Sequence, residues 1–275
     1  MNVIVKLQGG LANQMFQYSF GKFISNETGR ELILDLNFLK NREIPETDYF
    51  VYRNYDLDVF DIVPKMVDSF EEEYELIQEP WDNFFNFRGD LVEKALSSVS
   101  DNIYLDGYWA SFRYFTDGVS SEFVFRSDVL DESRDLMEEI RRTESVMIHV
   151  RRTDFLSNPL LLTIGEEYIK AAVRDLGGEN KRFYIFSDDP DWCKDNLSHI
   201  GTVVGKEHNG FKNSNYLRLM TNCKYFIVSN STFGWWCAYL SKRDKAVIYP
   251  SKVFKDGYPL VPEGWHPLEW KGILI

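Results

Sequence analysis

The hydrophobic and polar positions of the first 36 residues follow two different periods. The apolar run at residues 3–7 is interrupted by Gly9 and Gly10, and residues 11–28 then carry apolar side chains close to a 3.6-residue period. Residues 31–36 form a second apolar run. This order predicts a strand, a glycine loop, a helix and another strand, which together make a βαβ unit.

The pattern becomes regular again from residue 145, after an irregular stretch over residues 40–100 and a charged helix over residues 131–142. Amphipathic segments such as Glu166–Leu176 separate apolar runs that predict strands. Those runs read SVMIHV, RFYIFS, TVVG, YFIVSN and KAVIYP. Such alternation is typical of a parallel, doubly wound sheet. We therefore predict an α/β protein with two Rossmann-like domains, residues 1–140 and 141–275.

The charge of the chain narrows the class of partner. Of its 275 residues 44% are hydrophobic, and the net charge is −12. An acidic surface repels nucleic acid and anionic lipid, so we expect neither to be a partner. An anionic ligand would need a small, local cationic site.

The cysteines and the apolar segments predict a cytoplasmic protein. Its three cysteines are widely spaced and form no CxxC pair, which favours a reducing compartment over a disulfide or zinc framework. The apolar start is too short for a signal peptide, and no segment approaches the roughly 20 apolar residues of a membrane span. We expect membrane contact to be peripheral at most.

Polar side chains follow three predicted strands of the second half, where ligands of open α/β sheets bind. Arginines bind phosphate in a bidentate manner, a helix N-terminus offers N–H groups to the same anion, and an aspartate can accept from ribose or guanine. The sequence therefore predicts a nucleotide site. Its candidates are Arg151, Arg152 and Asp154 after the first strand, Ser187, Asp188 and Asp189 at the second, and Asn230, Ser231, Thr232 and Phe233 after the third.

Each of these segments also has an ordinary structural explanation. Paired arginines often form surface salt bridges, and Asp154 would be a suitable partner. The segment SNST before a helix is typical of an N-cap, SDDP is typical of a turn, and His149 alternates with buried positions. The coincidence of all three strand ends favours the functional interpretation.

The N-terminal loop supports an alternative function. Gly9 and Gly10 allow a backbone to approach a ligand closely, and Asn13 and Gln14 follow at the helix start. Asp35 ends the second strand, as the ribose-binding acid of a dinucleotide fold does, so an NAD-type oxidoreductase is one alternative. The loop lacks the GxGxxG pattern. A non-enzymatic binder of glycans or nucleotides is another alternative on the same fold.

Metal and cofactor signals are weak. Two DxD triplets occur, at residues 56–58 and 189–191, but in a chain with 43 acidic residues such a match carries little information. There is no HExxH motif and no histidine–cysteine cluster. We predict no metal site and no cofactor.

Five segments, in order, resemble the α-1,2-fucosyltransferases of glycosyltransferase family 11. The resemblance runs from Lys6 to about Pro250, and three residues depart from the common pattern: Ala12, Ala110 and Thr153 stand where glycine, glutamine and glycine are common. The five segments read GGLANQMFQY, LDGYWASFRYF, HVRRTDF, FYIFSDDPDW and SNSTFGWWCAYL.

The resemblance implies a GT-B-like fold, with a cleft between the two Rossmann-like domains and a tail after Pro250 that crosses back onto the first. It implies inverting, metal-independent transfer of L-fucose from GDP-β-L-fucose to the 2-hydroxyl of a galactoside in surface glycan biosynthesis. The expected acceptor is a galactose-terminated oligosaccharide or a lipid-linked glycan. Transfer with another linkage remains an alternative, because the linkage rests on resemblance alone.

The resemblance also suggests roles for the candidate residues. Arg151 and Arg152 are expected to bind the diphosphate, and Asp154 is the nearest candidate base, with Glu166 and Glu167 or no base at all as alternatives. The donor-binding candidates are His149, Ser187, Asp188, Asp189, Asn230, Ser231, Thr232 and Phe233. The candidates for fucose or acceptor contacts in the first domain are Gly9, Gly10, Asn13, Gln14, Tyr108 and Trp109.

Overall fold

The protein folds into two compact units, each with its own parallel sheet. The first unit comprises Met1–Arg126 with Pro262–Pro267, and the second comprises Ser127–Val261 with Leu268–Ile275. The computed structural model describes residues 1–43, 45–47, 51–80, 86–243, 246–255 and 264–273.

In its described residues the first unit contains a five-stranded sheet. Its strands are β1 (Asn2–Lys6), β2 (Glu31–Asp35), β3 (Lys65–Val67), β4 (Glu75–Gln78) and β5 (Asn102–Asp106), and its helices are α1 (Leu11–Thr28), α2 (Asn37–Lys40), α3 (Gly89–Ser97) and α4 (Asp117–Ser120). The strands are parallel, in the order β3-β2-β1-β5-β4. The predicted βαβ unit is therefore present. Among the described residues between 40 and 100, the regular elements are β3 and β4 at the edges of the sheet, a 3₁₀ turn at Leu57–Val59 and α3. These elements are too short for a clear periodic pattern.

Helix α1 of the first unit begins and ends at glycines. Gly29 has a left-handed φ of 69° and donates its N–H to the carbonyl of Ser25, a conformation that glycine adopts without strain. Gly21 lies where α1 contacts the sheet: a Cβ there would be 2.3 Å from Cγ2 of Val5. Close packing of this helix against β1 fixes where the loop between them emerges.

The part of the second unit that the structure describes contains a six-stranded sheet. Its strands are β6 (Ser145–Val150), β7 (Arg182–Ser187), β8 (Thr202–Val203), β9 (Tyr225–Ile227), β10 (Val247–Pro250) and β11 (Lys271–Ile273). Its helices are α5 (Arg134–Arg142), α6 (Thr153–Ser157), α7 (Glu166–Leu176), α8 (Pro190–Leu197), α9 (Ser214–Thr221) and α10 (Thr232–Leu240). The strands are parallel, in the order β11-β10-β9-β6-β7-β8. The doubly wound parallel sheet is as predicted, while α6, α8 and β11 were not predicted.

Strand β6 is buried along its whole length and carries a different core on each face. Val146, Ile148 and Val150 pack into the cluster formed with α7 and α8. His149 points to the opposite face and contacts Phe233 of α10, with ring centroids 6.0 Å apart. The alternation of side chains along a strand therefore directs one polar residue of β6 against α10.

The division between the units falls after Arg126, earlier than the predicted boundary at residue 140. Helix α5 belongs to the second unit because it is bonded there: Glu139 accepts from the hydroxyl of Tyr184 at 3.0 Å, and the Ile140 carbonyl accepts from Arg243 at 3.1 Å. Within the first unit, the hydroxyl of Ser111 donates to the carbonyl of Gly264.

None of the helices in the described part of the chain combines the length and hydropathy that crossing a bilayer requires.

Candidate functional site

The three predicted strand ends of the second unit lie side by side. β6 pairs with β7 on one side and with β9 on the other, and Val150 is opposite Ser187 in the register. Because parallel strands end at the same edge, the segments that follow them meet there. The structure therefore brings the arginines, the aspartates and the start of α10 together, as the sequence predicted.

Two carboxylates hold the guanidinium of Arg151. Its Nη2 is 2.7 Å from Oδ1 of Asp154, and its Nη1 is 3.0 Å from Oδ2 of Asp188. The Phe155 ring lies 5.6 Å from the guanidinium carbon. Asp154 is therefore an ion-pair partner of Arg151 in this structure, as expected for a salt bridge between neighbouring residues.

Arg152 is held by one carboxylate and one aromatic face. Its Nε is 3.1 Å from Oδ2 of Asp189, and its guanidinium carbon lies 3.8 Å from the centroid of the Trp192 ring. Stacking on an indole fixes the plane of a guanidinium. Among the described residues these contacts use only Nε and the ring face, so both Nη groups are available to a ligand. Trp192 was not among the predicted site residues, although the segment FYIFSDDPDW contains it.

The carboxylate of Asp188 organises the turn after β6. It accepts from the backbone N–H of Arg152 at 2.9 Å, from that of Thr153 at 3.1 Å, and from the Thr153 hydroxyl. Burial favours the neutral acid, but the Arg151 charge and these hydrogen bonds outweigh it and lower the pKa of Asp188 below its ordinary value. Asp188 therefore serves the arginine turn, and its contact with a nucleoside stays a prediction.

Asp189 begins α8. Its side chain accepts from the N–H of Trp192 at 3.2 Å, and its own N–H donates to the hydroxyl of Ser187 at 3.0 Å. The same carboxylate pairs with Arg152. The N-cap thus connects the position of α8 to the position of a guanidinium.

The charged side chains of this cluster pair with one another and carry no excess of positive charge. The two guanidiniums of Arg151 and Arg152 meet three carboxylates, those of Asp154, Asp188 and Asp189. We expected concentrated positive charge at this site, but the cluster carries one more acidic group than basic groups. Its capacity to bind an anion depends on which N–H groups face outward.

The third strand end begins α10. The hydroxyl of Ser231 accepts from the N–H of Phe233 at 3.3 Å, as an N-cap does. Asn230 is buried and donates through Nδ2 to the carbonyls of Leu162 at 2.8 Å and Val253 at 2.7 Å. Asn230 therefore ties two loops to the start of α10, while Thr232 and Phe233 are partly exposed.

His149 is buried beside this helix start. Its Nδ1 is 2.8 Å from the hydroxyl oxygen of Ser229, and only 7% of the residue is exposed. Burial lowers the pKa of His149 to about 4; the charge of Asp188 opposes this shift and that of Arg151 adds to it. The imidazole is therefore uncharged at neutral pH.

The glycine loop of the first unit is held by Gln14. This fully buried side chain donates from Nε2 to the carbonyls of Gly9 at 2.9 Å and Asn54 at 2.8 Å, and Oε1 accepts from the N–H of Asp56 at 2.8 Å. Gly9 has a φ of 74°. Gln14 has no exposed surface for a sugar, in contrast to our expectation, whereas Gly10 and Asn13 are partly exposed.

The turn after β5 exposes one aromatic residue and buries the next. Tyr108 is 45% exposed, whereas Trp109 is fully buried against Phe20, with centroids 4.5 Å apart. Glu79 accepts from the N–H groups of Tyr108 at 2.9 Å and Trp109 at 3.0 Å, which supports the left-handed φ of 53° at Trp109. Trp109 offers no face for a sugar, contrary to expectation, and Glu79 was missed because its partners at Tyr108, Trp109 and Tyr114 are distant from it in sequence.

Asp35, the anchor of the oxidoreductase alternative, is already satisfied within the first unit. It is 2% exposed and accepts from the hydroxyl of Tyr104 at 3.0 Å and from the N–H of Asn37 at 2.8 Å. A carboxylate with these partners is poorly placed to bind a ribose.

Comparison with known proteins identifies relatives along the whole chain. The family model described as glycosyl transferase family 11 matches residues 2–273. The alpha-1,2-colitosyltransferase of Escherichia coli is 30% identical over 97% of this chain and 99% of its own length. The O-antigen biosynthesis glycosyltransferase WbnK of Escherichia coli is 25% identical, with 90% and 93% covered. Galactoside alpha-(1,2)-fucosyltransferase 1 of Bos taurus is 27% identical over 75% of this chain and 57% of its own.

Solved structures confirm the fold class. NodZ alpha-1,6-fucosyltransferase, co-crystallised with GDP, superposes with a TM-score of 0.55 at 15% identity, covering 86% of this chain and 90% of that one. POFUT1 in complex with GDP superposes with a TM-score of 0.50 at 13% identity, covering 98% of each chain. At such identities the likeness shows the fold alone: an α/β architecture of the GT-B kind.

The buried neutral His149 predicts a specific loss of stability in mild acid. Because its folded pKa of about 4 lies below the ordinary value of 6.5, the unfolded chain takes up the proton first. The free energy of unfolding should therefore fall as the pH decreases from 6.5 towards 4, by about 1.4 kcal/mol per pH unit from this residue. Urea unfolding of His149→Asn across that range should show a shallower pH dependence.

The matched control is His199→Asn, since His199 has a 59% exposed side chain. This control should keep the pH dependence of the unmodified protein. Equal slopes for His149→Asn and the unmodified protein would contradict the assignment.

Proposed function

The chain belongs to glycosyltransferase family 11, and from this premise we propose that it transfers L-fucose from GDP-β-L-fucose to the 2-hydroxyl of a galactoside. The observation that carries the proposal is the cluster at the ends of β6, β7 and β9, where Arg151 and Arg152 follow β6 and α10 begins after the neighbouring strand β9. We propose that this cluster binds the diphosphate of the donor. The GDP named with NodZ and POFUT1 supports the same ligand.

The chemistry needs stabilisation of the leaving group. When the bond between the anomeric carbon and the phosphate oxygen breaks, positive charge develops on the sugar and negative charge on GDP. Preoriented N–H donors stabilise such charge because they need no reorganisation during the step. Asp189 and Trp192 hold Arg152 with both of its Nη groups available. Arg152 is therefore our candidate for the group that binds the departing phosphate.

The acceptor proton needs a separate account. Asp154 was the nearest candidate base, but its carboxylate is 2.7 Å from Nη2 of Arg151. That contact engages the Asp154 carboxylate in an ion pair with Arg151. We therefore assign Asp154 to orienting Arg151 and propose no base from the second unit.

A second donor sugar is favoured by the Escherichia coli relative that is named an alpha-1,2-colitosyltransferase. Colitose is L-fucose without its 3-hydroxyl, so GDP-colitose would present the same diphosphate to Arg151 and Arg152. We therefore keep transfer of colitose as the alternative. Surface glycan biosynthesis is the proposed context, which the O-antigen relative supports.

Product analysis tests the reaction itself. Incubation with a β-galactoside acceptor and either GDP-fucose or GDP-colitose should yield a disaccharide whose linkage NMR assigns as α-1,2. GDP should raise the melting temperature, and NAD should not. A product with another linkage would contradict the proposed linkage, and GDP binding without turnover on any galactoside would favour the non-enzymatic binder.

Arg152→Ala should lower kcat on the order of 10²-fold or more, because a transition-state contact is lost. Arg152→Lys should recover only part of this, since an ammonium lacks the planar fork. The matched control is Arg174→Ala, at an exposed position of α7. A folded Arg152→Ala enzyme with full activity would refute the central assignment.

Metal independence has its own test. The rate of transfer should be unchanged in excess EDTA, because guanidiniums and helix N–H groups are proposed to neutralise the leaving group. Added Mn²⁺ should not raise it. Activity that EDTA abolishes and Mn²⁺ restores would show that a metal takes part.

A further inference from the structure

The imidazole of His149 fits a socket made by three residues: Ser229, Phe233 and Gly234. The Phe233 ring centroid is 6.0 Å away, and the Ser229 oxygen is 2.8 Å from Nδ1. A Cβ on Gly234 would come within 2.7 Å of the same Nδ1. Helix α10 therefore lacks a side chain at the point where the imidazole lies. Such a fit fixes the orientation of the ring.

In the hydrogen bond between Ser229 and His149, either the hydroxyl or Nδ1 can be the donor. The surroundings of the hydroxyl distinguish these two arrangements. Ser229 is 1% exposed, and Nδ1 is the only partner of its hydroxyl among the described residues. If Nδ1 carried the proton, the Ser229 hydroxyl hydrogen would be buried without an acceptor, which is costly. If Ser229 donates, that hydrogen is satisfied. The proton of the neutral ring then lies on Nε2.

Burial keeps the ring neutral; the charge of Asp188 opposes this effect and the charge of Arg151 adds to it. Arg151 lies two residues further along the chain, directly after β6, and Asp188 directly follows the neighbouring strand β7. Phe233 and Gly234 of α10 adjoin the ring, and neither of them titrates. Burial lowers the pKa of His149 to about 4 despite the charge of Asp188. Above that pH the ring is a hydrogen-bond donor at Nε2.

We propose that Ser229 is a positioning residue that fixes His149 as the Nε2–H tautomer, so that the imidazole donates a hydrogen bond to a phosphate oxygen of the donor beside Arg151. This inference rests on the proposed function. A ring that is protonated at Nε2 cannot act as a base at that nitrogen, because a base needs a lone pair there. Carboxylates outnumber guanidiniums in this cluster. A neutral imidazole can donate to a phosphate oxygen without forming an ion pair with one of those carboxylates.

The tautomer can be measured directly. In ¹⁵N NMR of the labelled protein, Nε2 of His149 should appear protonated and Nδ1 unprotonated, with no titration near the ordinary histidine pKa of about 6.5. Ser229→Ala should redistribute the proton between the two nitrogens. Affinity for GDP and kcat/KM for the donor should each fall about tenfold, as expected when one hydrogen bond to a charged group is lost.

The matched control is Ser198→Ala, at the exposed position directly after α8. It should preserve the tautomer, the GDP affinity and the activity. If Ser229→Ala does not fold, Ser229→Cys can replace it. The thiol is a weaker donor and should give a smaller change in the same direction. The spectrum of the unmodified protein reports the tautomer in either case.

Two results would overturn the inference alone: a proton on Nδ1 in the unmodified protein that binds GDP normally, or a Ser229→Ala protein with unchanged tautomer and GDP affinity. Failure of the unmodified protein to bind GDP would instead overturn the proposed function and the phosphate contact with it. The tautomer measurement separates these cases because it needs no ligand.

Discussion

The carboxylate of Asp188 is the interaction on which the candidate site depends. It crosses from the end of β7 to the end of β6, accepts two backbone N–H groups there and pairs with Arg151. Burial of an unpaired carboxylate would be costly, so the turn after β6 must stay where it satisfies this group. The positions of Arg151, Arg152 and the start of α6 all follow from that requirement. The same contacts keep Asp188 ionised, since they lower its pKa.

Both units use buried or half-buried polar side chains to hold loops at the carboxyl edge of a sheet. Gln14 binds the glycine loop of the first unit, Glu79 binds the turn that exposes Tyr108, and Asn230 binds two loops of the second unit. Each of these side chains satisfies backbone groups that a loop otherwise leaves unpaired. Residues that hold the site and residues that face a ligand are therefore neighbours in sequence, and motifs contain both kinds.

Much of the second unit could be predicted from the sequence, and the reason is local. The strand SVMIHV coincides with β6 because a continuous apolar run of this length is typical of a central parallel strand. The N-cap role of Ser231 also follows from neighbouring residues. Trp192 and Ser229 were missed because their partners, Arg152 and His149, are distant in sequence. No spacing rule connects such pairs.

The sequence by itself determined the family, the alternation of strands and helices, and the residue types at three strand ends. Only the tertiary structure decided which of these residues hold the site and which face a ligand. Arg151 and Arg152 look equivalent as neighbours, yet two carboxylates engage the ends of one guanidinium and a tryptophan face supports the other. Hydrogen bonding and burial depend on partners that the fold brings together from different strands. For the same reason the role of Asp154 could not be read from its place beside the arginines.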